Sequence, residues 1–575
     1  MSQPTDASSS SEPIGEKPVG SIANLPKNFR SDVISGFLVF LIALPLCLGI
    51  SIASGFPAIN GVFTAIIGGM VCVFFSNSEL TIKGPAAGMI AIVMGAVTDF
   101  AKTANVTADA GNPEIYMQYL PTVAGIAVVA GGIQIVAGLM KAGSLADFFP
   151  TSVIHGLLAS IGLIIVGKQL YPLLGLKPNS AERAYEAYLE LPEHLPHFAW
   201  QVAVIGVVAL VFLFVYPTLK KSISIFKGLP AQLIILAVAI PAAIYLLGDF
   251  SDGSGTFSRK YDLSHGENPT QQVKTLLVKV PASLEVLKSS IIFPSFQHIG
   301  TAKFWTWVLM FMLVGSIESL LSAKAVDTLD PWKRRSDLNR DLTAVGLANL
   351  LVGLIGGLPM ISEIVRSSAN KDYGARTRGA NFFHGLFLLL SIVLLPFLLN
   401  KIPLAALAAM LIYAGCRLAN YKEFIHMWEV GKEQFIIFVA TIIGVLATDL
   451  LIGVAVGIVT KLVIHLINGL PITSIFSPAA QFVEQIDEDD VIIRVSNAVV
   501  FSNWLPLRSK IVRAGIENKS NVTLDFSTAK LVDHTVMDKL HELQKEFEAS
   551  YLKLSWTGLE QLNPLSAHPL AARKK

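Results

Sequence analysis

Twelve stretches of this chain are apolar for long enough to cross a bilayer, and that recurrence constrains the fold more than any single motif. They run at roughly 33–54, 57–75, 120–140, 150–170, 198–216, 229–247, 304–323, 341–357, 380–399, 401–418, 434–448 and 449–468. Two shorter stretches, 84–98 and 359–369, are interrupted by Gly, Pro and polar residues. Counting both gives fourteen passes and omitting both gives twelve, and either even number puts the termini on one side. The expected fold class is therefore an α-helical polytopic membrane protein.

Composition agrees. Of 575 residues, 53% are hydrophobic and only 15% charged, well below the quarter usual in soluble chains. The 44 Lys and Arg nearly balance 42 Asp and Glu, which leaves no basic surface for nucleic acid. Cys47, Cys72 and Cys416 all lie in apolar stretches, with no CxxC or Cys/His cluster, so neither a disulfide framework nor a zinc site is indicated. There is no nucleotide fingerprint, P-loop or organised triad, so an enzyme is not expected. The polar stretch of about thirty residues before the first span is not how a cleavable signal peptide begins.

Basic residues assign the sides. Lys17, Lys27 and Arg30 precede the first span; Lys141, the group Lys220, Lys221 and Lys227, and the group Lys324, Lys333, Arg334, Arg335 and Arg340 fill later connections. Lys371, Arg376, Arg378, Arg417 and Lys422 follow. With fourteen passes all of them fall on the side of the N-terminus, which is then cytoplasmic. The loops at 99–119 and 171–197 and the long connection 248–303 face outward.

From about 476 the pattern changes. Val491–Val495 and Asn521–Phe526 read as strands and Thr535–Ala549 as an amphipathic helix, a small cytoplasmic α/β module. The expected organisation is a cytoplasmic tail 1–30, a transmembrane domain 31–470, the module 476–562 and a polar tail 563–575.

The two short segments carry the chemistry. In the first, Lys83-Gly84-Pro85-Ala86-Ala87-Gly88, Gly84 permits a non-helical approach and Pro85 suits a first helical turn. A half-helix starting near Ala86 aims free N–H groups and a positive dipole end into the membrane, an anion site without a full charge. In the second, Pro359 opens a segment with Ile361, Ser362, Glu363, Arg366 and Ser367. Helical spacing would put Ser362, Glu363 and Arg366 in neighbouring positions. Both segments are third in a set of seven, the arrangement of an inverted-repeat transporter with its site at the midplane. Glu318, Ser319 and Ser322 lie within about one turn of the eighth span. An acid there is costly unless paired, hydrated or protonated, so Glu318 either couples transport to a cation or proton or bonds another helix. Glu363 either joins in coupling or neutralises Arg366, and Arg366 either counters the anion or supports packing. His155 and Lys168, in the fifth span, read as structural.

These stretches resemble the SulP family of inorganic anion transporters, related to the eukaryotic SLC26 carriers. The likeness runs through Asp32-Val-Ile-Ser-Gly36, Ala43-Leu-Pro-Leu46, Lys83–Gly88, Gly156–Gly162, Gln169–Gly175, Gly315–Leu320, Gly356–Pro359, Arg366-Ser367 and Gly374–Gly379. Leu524-Asp-Phe-Ser527 and Asp533-His-Thr535 resemble a STAS domain. The resemblance implies seven-plus-seven inverted repeats of the UraA/SLC26 kind, with a core of spans 1–4 and 8–11 and a gate of spans 5–7 and 12–14. It also implies substrate between spans 3 and 10, elevator-like movement and a homodimer in a bacterial inner membrane, with a STAS domain open to cytoplasmic partners. Substrate binding is then expected at Gly84, Pro85, Ala86, Ala87, Gly88, Ile361, Ser362, Glu363 and Arg366, and ion coupling at Glu318, Ser319, Ser322 and Glu363. Relatives that use sodium place an Asp and a Thr where Glu318 and Ser322 stand here, so Na+ remains possible as coupling ion and a proton is at least as well suited. No other cofactor is expected. The segment Ser566–Arg573 resembles a subgroup associated with carbonic anhydrase, which favours bicarbonate over sulfate modestly. An uncoupled channel or exchanger, and an organic-anion carrier, share this fold.

Overall fold

The computed structural model describes residues 17–20, 24–103, 113–147, 149–176, 185–223, 226, 229–247, 277–281, 287–288, 290–448, 450–470, 473, 477, 479–485, 487 and 490–575. Parts of the expected N-terminal tail and of the three outward loops therefore lie outside the described residues. The apolar stretches form helices because lipid offers no partner for backbone N–H and C=O groups, which a helix satisfies internally. In chain order they are α1 (Leu25–Ala53), α2 (Ala58–Phe75), α3 (Ile90–Thr103), α4 (Pro113–Leu139), α5 (Thr151–Leu173), α6 (Trp200–Ser222) and α7 (Ala231–Leu247). The second set is α8 (Ala302–Leu329), α9 (Leu338–Leu354), α10 (Ile364–Asp372), α11 (Gly379–Leu394), α12 (Leu404–Leu418), α13 (Lys432–Ala447) and α14 (Leu450–Ile467). Helix α1 begins at Leu25, inside the stretch expected as a tail.

Packing sorts the helices into two groups. Helices α1, α2, α4, α9 and α11 pack on one another, and so do α5, α6, α12, α13 and α14. Close approach within a group rests on facing glycines. A Cβ on Gly346 of α9 would lie 2.8 Å from the Gly131 carbonyl of α4, so the two backbones touch where no side chain intervenes. Outward faces such as Val204, Val208, Val211 and Val215 of α6 are exposed and apolar, as lipid contact requires.

The third and tenth passes are not simple helices. Strand β1 (Ile82–Pro85) leads through a 3₁₀ turn at Ala87–Met89 into α3, and strand β2 (Met360–Glu363) leads directly into α10. The strands pair antiparallel in the middle of the helices, with Ile82 opposite Glu363, Lys83 opposite Ser362, Gly84 opposite Ile361 and Pro85 opposite Met360. The expectation of a shared helical face for Ser362, Glu363 and Arg366 is corrected here. Helix α10 starts only at Ile364, because two extended segments meeting in the membrane satisfy each other's backbone groups and hold the chain extended up to Glu363.

The C-terminal domain is a six-stranded sheet of β3 (Ala480–Gln485), β4 (Asp490–Val499), β5 (Asn521–Val532), β6 (Leu554–Thr557), β7 (Asn563–Pro564) and β8 (Arg573–Lys574), with helices α15 (Phe501–Val512) and α16 (His534–Ala549). Parallel β4, β5 and β6 form its centre over Trp504, Phe526 and Phe547. Residues 563–575, expected as a polar tail, contribute to the sheet: β8 pairs with β5 and β7.

This domain is held on the α5/α14 group by a buried ion pair. Asp533, the N-cap of α16, lies 3.0 Å from Lys461 Nζ of α14, with both side chains at most 1% exposed. Lys461 also donates to Thr535 Oγ1 at 2.6 Å, and Asp533 accepts from the Phe501 and Val536 amides. Burial alone pushes the Asp533 carboxyl up, but Lys461, His465 and the Val536 amide outweigh it and hold it well below the ordinary range. A depressed carboxylate contributes its stability above the unfolded value, about 3.9, and loses it only as pH falls towards the folded value. Docking should therefore not respond to Asp533 between pH 5 and 8. Lys461→Met strands a buried carboxylate and should cost about 3–5 kcal/mol, whereas Lys461→Met with Asp533→Leu recovers most of it. Thermal unfolding and proteolytic release of the C-terminal domain measure both.

Candidate functional site

The paired strands present two faces, because successive strand residues point to opposite sides. Lys83 and Ser362, opposite each other, share one of them. Lys83 Nζ donates to Ser362 Oγ at 2.5 Å and to Asp341 Oδ1 of α9 at 2.6 Å, with Lys83 1% and Asp341 0% exposed. Asp341 also accepts from Ser76 at 2.6 Å and from Ser362 at 3.1 Å, while Ser319 of α8 bonds both the hydroxyl and the amide of Ser362 at 3.1 Å. Five elements thus meet at one buried, fully engaged cluster. Of the expected site residues, Ser319 and Ser362 spend their hydroxyls here.

The opposite face holds Gly84 and Glu363. The Arg366 guanidinium lies over Gly84, where any Cβ would collide with Nη1. Nη2 donates to the Pro85 carbonyl at 3.0 Å and Nη1 approaches Cys47 Sγ at 3.6 Å. Arg366 therefore ties the end of β1 to α10 and α1. Glu363, the residue before α10, faces the backbone N–H of Ala87, the first residue of the turn opening α3. Thus a carboxylate of the second set of helices lies at a helix N-terminus of the first, where an anion is favoured.

Glu318 of α8 comes to the same place. A Cβ on Gly88 would lie 2.5 and 2.6 Å from its two carboxyl oxygens, so only glycine leaves room for it. Its Oε2 is buried without a hydrogen-bond partner among the described residues. Ser322, one turn on, is buried. Ile361 is buried opposite Gly84, and Ala86 has extended backbone that delivers the chain into the turn. The structure thus gathers Gly84–Gly88, Glu363, Arg366 and Glu318 around the start of α3.

Sequence reasoning passed over the residues that hold the ribbon's edges. Asn349 of α9 bonds both the amide and the carbonyl of Met360, Asn381 of α11 accepts the Lys83 amide, and Asn60 and Thr64 of α2 bond the Gly356 and Leu358 carbonyls. The available signal was their type: single amides and a threonine inside apolar spans, where an extended segment needs side-chain partners.

With this geometry, comparison with known proteins is informative. The sulfate permease family profile matches residues 29–441, and the chain belongs to that family. "Putative sulfate transporter YvdB" of Bacillus subtilis is 27% identical over 442 residues, 76% of this chain and 74% of that one. "Bicarbonate transporter BicA" of a Picosynechococcus species is 25% identical over 482 residues, 83% of this chain and 76% of that one. The inward-facing structure of murine Slc26a9 superposes with a TM-score of 0.65 over 96% of this chain and 90% of that one, at 18% identity, which shows the shared fold. The protein is an anion transporter, not an enzyme, and its β-rich C-terminal region is compatible with a STAS domain.

Gly88→Ala tests the close approach directly. Its methyl group must displace the Glu318 carboxylate, so anion uptake by reconstituted protein should fall at least tenfold while the melting temperature stays near that of the parent chain.

Proposed function

We propose that this protein is a secondary active carrier of a small inorganic oxyanion, bicarbonate before sulfate, that moves a proton with its substrate. The observation behind this reading is the presence of two carboxylates, Glu318 and Glu363, at the helix N-terminus that would receive the anion. Local charge makes the point. Within the strand-paired site Lys83 balances Asp341 and Arg366 balances Glu363, which leaves Glu318 in excess. An anion added beside an ionised, partly desolvated Glu318 is repelled by it; a proton on Glu318 removes the repulsion and supplies a donor. With Glu363 offset by Arg366 and Glu318 protonated, the strand-paired site keeps only the roughly half positive charge of each helix N-terminus, α3 and α10, which suits a monovalent anion better than a divalent one. That favours bicarbonate.

The relatives named above support the same class, since one is named for sulfate and one for bicarbonate. In this reading the α1–α4 and α8–α11 helices carry the loaded site past the α5–α7 and α12–α14 helices. The basic connections and the C-terminal domain lie in the cytoplasm, in the inner membrane of a bacterium. The protein acts as a homodimer whose C-terminal domain is available to a cytoplasmic partner, with carbonic anhydrase the natural one for a bicarbonate carrier. Sodium is the second reading, because Glu318 and Ser322 stand one turn apart on α8 and could both offer oxygen to it.

Proteoliposome uptake of labelled bicarbonate and labelled sulfate, each with and without inward proton and sodium gradients, decides between them. The proton reading expects severalfold faster uptake with the proton gradient, no response to sodium, and loss of the gradient effect in Glu318→Gln while anion exchange persists. Uptake that requires sodium moves Glu318 and Ser322 to a cation site. Uptake indifferent to both gradients contradicts coupling.

A further inference from the structure

We infer that Lys168 on α5 is an anion-binding residue contributed by the opposite helix group, the countercharge that the loaded site meets across the interface. This rests on the transport reading above and adds to it a residue outside the strand-paired site.

Helix α5 packs directly on the Ala87–Met89 turn and on α3. Its residues Leu157, Ile161, Ile164 and Ile165 share one apolar cluster with Ala86, Met89 and Ile90. Lys168 continues that stripe by one more turn, and its Nζ rests 3.9 Å from the thioether sulfur of Met94 on α3. Met94 is about one and a half turns along α3 from Met89, at 3.6 residues per turn. The ammonium therefore lies in the seam between the two helix groups, close to the helix whose N-terminus forms the anion site.

What distinguishes Lys168 is its lack of a countercharge. Lys83 has Asp341, Lys461 has Asp533, Lys303 has Asp99 at 2.9 Å, and Arg366 has Glu363. For Lys168, among the described residues, the contact is a sulfur at the edge of hydrogen-bonding range. An unpaired ammonium in an apolar seam is expensive, and a methionine or leucine of similar length would pack there without that cost. Such a departure from local stability is characteristic of a functional position. Glu318 is the matching irregularity on the other side of the seam, an acid with an unpartnered oxygen beside Gly88. When a proton neutralises Glu318, the bound oxyanion takes over as the negative partner, and Lys168 offers it a full charge and up to three N–H donors.

The test uses the full-length protein in proteoliposomes with labelled bicarbonate and labelled sulfate as probes, and compares Lys168→Met, Lys168→Leu and Lys168→Arg. The inference expects about a tenfold or larger rise in KM for Lys168→Met and Lys168→Leu, greater for sulfate because it carries two charges. Lys168→Arg should recover most of the affinity. Both apolar variants should melt at or above the temperature of the parent chain, which a merely structural lysine would not allow. An unchanged KM, or melting temperatures that fall together in both apolar variants, overturns the assignment. The parent chain is the control for the underlying reading: if it takes up neither anion, the transport proposal fails first and takes this one with it.

Discussion

The pairing of two four-residue strands inside the membrane is the constraint on which the rest depends. A ribbon this short has little intrinsic stability, and slipping it by one residue would turn every side chain to the opposite face. Glu363 would leave the Ala87 amide and Arg366 would lose the bare backbone of Gly84. The Lys83–Asp341–Ser362 cluster prevents this, since Lys83 and Ser362 are directly opposite in the register and Asp341 grips both from α9. Burying an ion pair is a poor way to add stability, and its best-attested use is to fix register. The asparagines at the ribbon's edges serve the same end by engaging backbone groups that lipid would leave unsatisfied.

Once the register is set, the electrostatics follow. One face of the ribbon closes on itself in a neutral, saturated cluster, and the other exposes a helix start to two carboxylates and a guanidinium already committed to the Pro85 carbonyl. On the transport reading proposed above, affinity for an anion depends on helix dipoles, on the protonation of Glu318 and on the Lys168 ammonium across the seam. At the far end of the molecule the Lys461–Asp533 pair fastens the C-terminal domain to α14.

Much of this was legible in the sequence. The apolar stretches gave the helices, and Gly84-Pro85 and Pro359 marked the two passes that break, because glycine and proline in a membrane segment leave few alternatives. Glu318 and Gly88 were both singled out, although nothing in a linear chain shows that one fits against the absence of a side chain on the other. The error at Ser362 and Glu363 has a clear origin. Helical spacing was applied to residues whose extended conformation is dictated by a strand 279 positions away, Ser362 pairing with Lys83. Asp341 and Asn349 were missed because a single polar residue in an apolar span has no signature until its partner is known. The closing strands β7 and β8 are two residues each, too short for any alternation to reveal.

The central claim is that the anion and a proton move together. The most direct measurement loads proteoliposomes with a pH-sensitive dye, clamps the membrane potential with potassium and valinomycin, and imposes an inward sulfate or bicarbonate gradient with no initial pH difference. Coupled transport predicts lumenal acidification that follows anion entry with the parent chain and is absent with Glu318→Gln. For bicarbonate, protein-free vesicles set the baseline for carbon dioxide exchange. Sulfate entry at the same rate with no protein-dependent change in lumenal pH, or bicarbonate entry that makes the lumen more alkaline by consuming its protons, would contradict it.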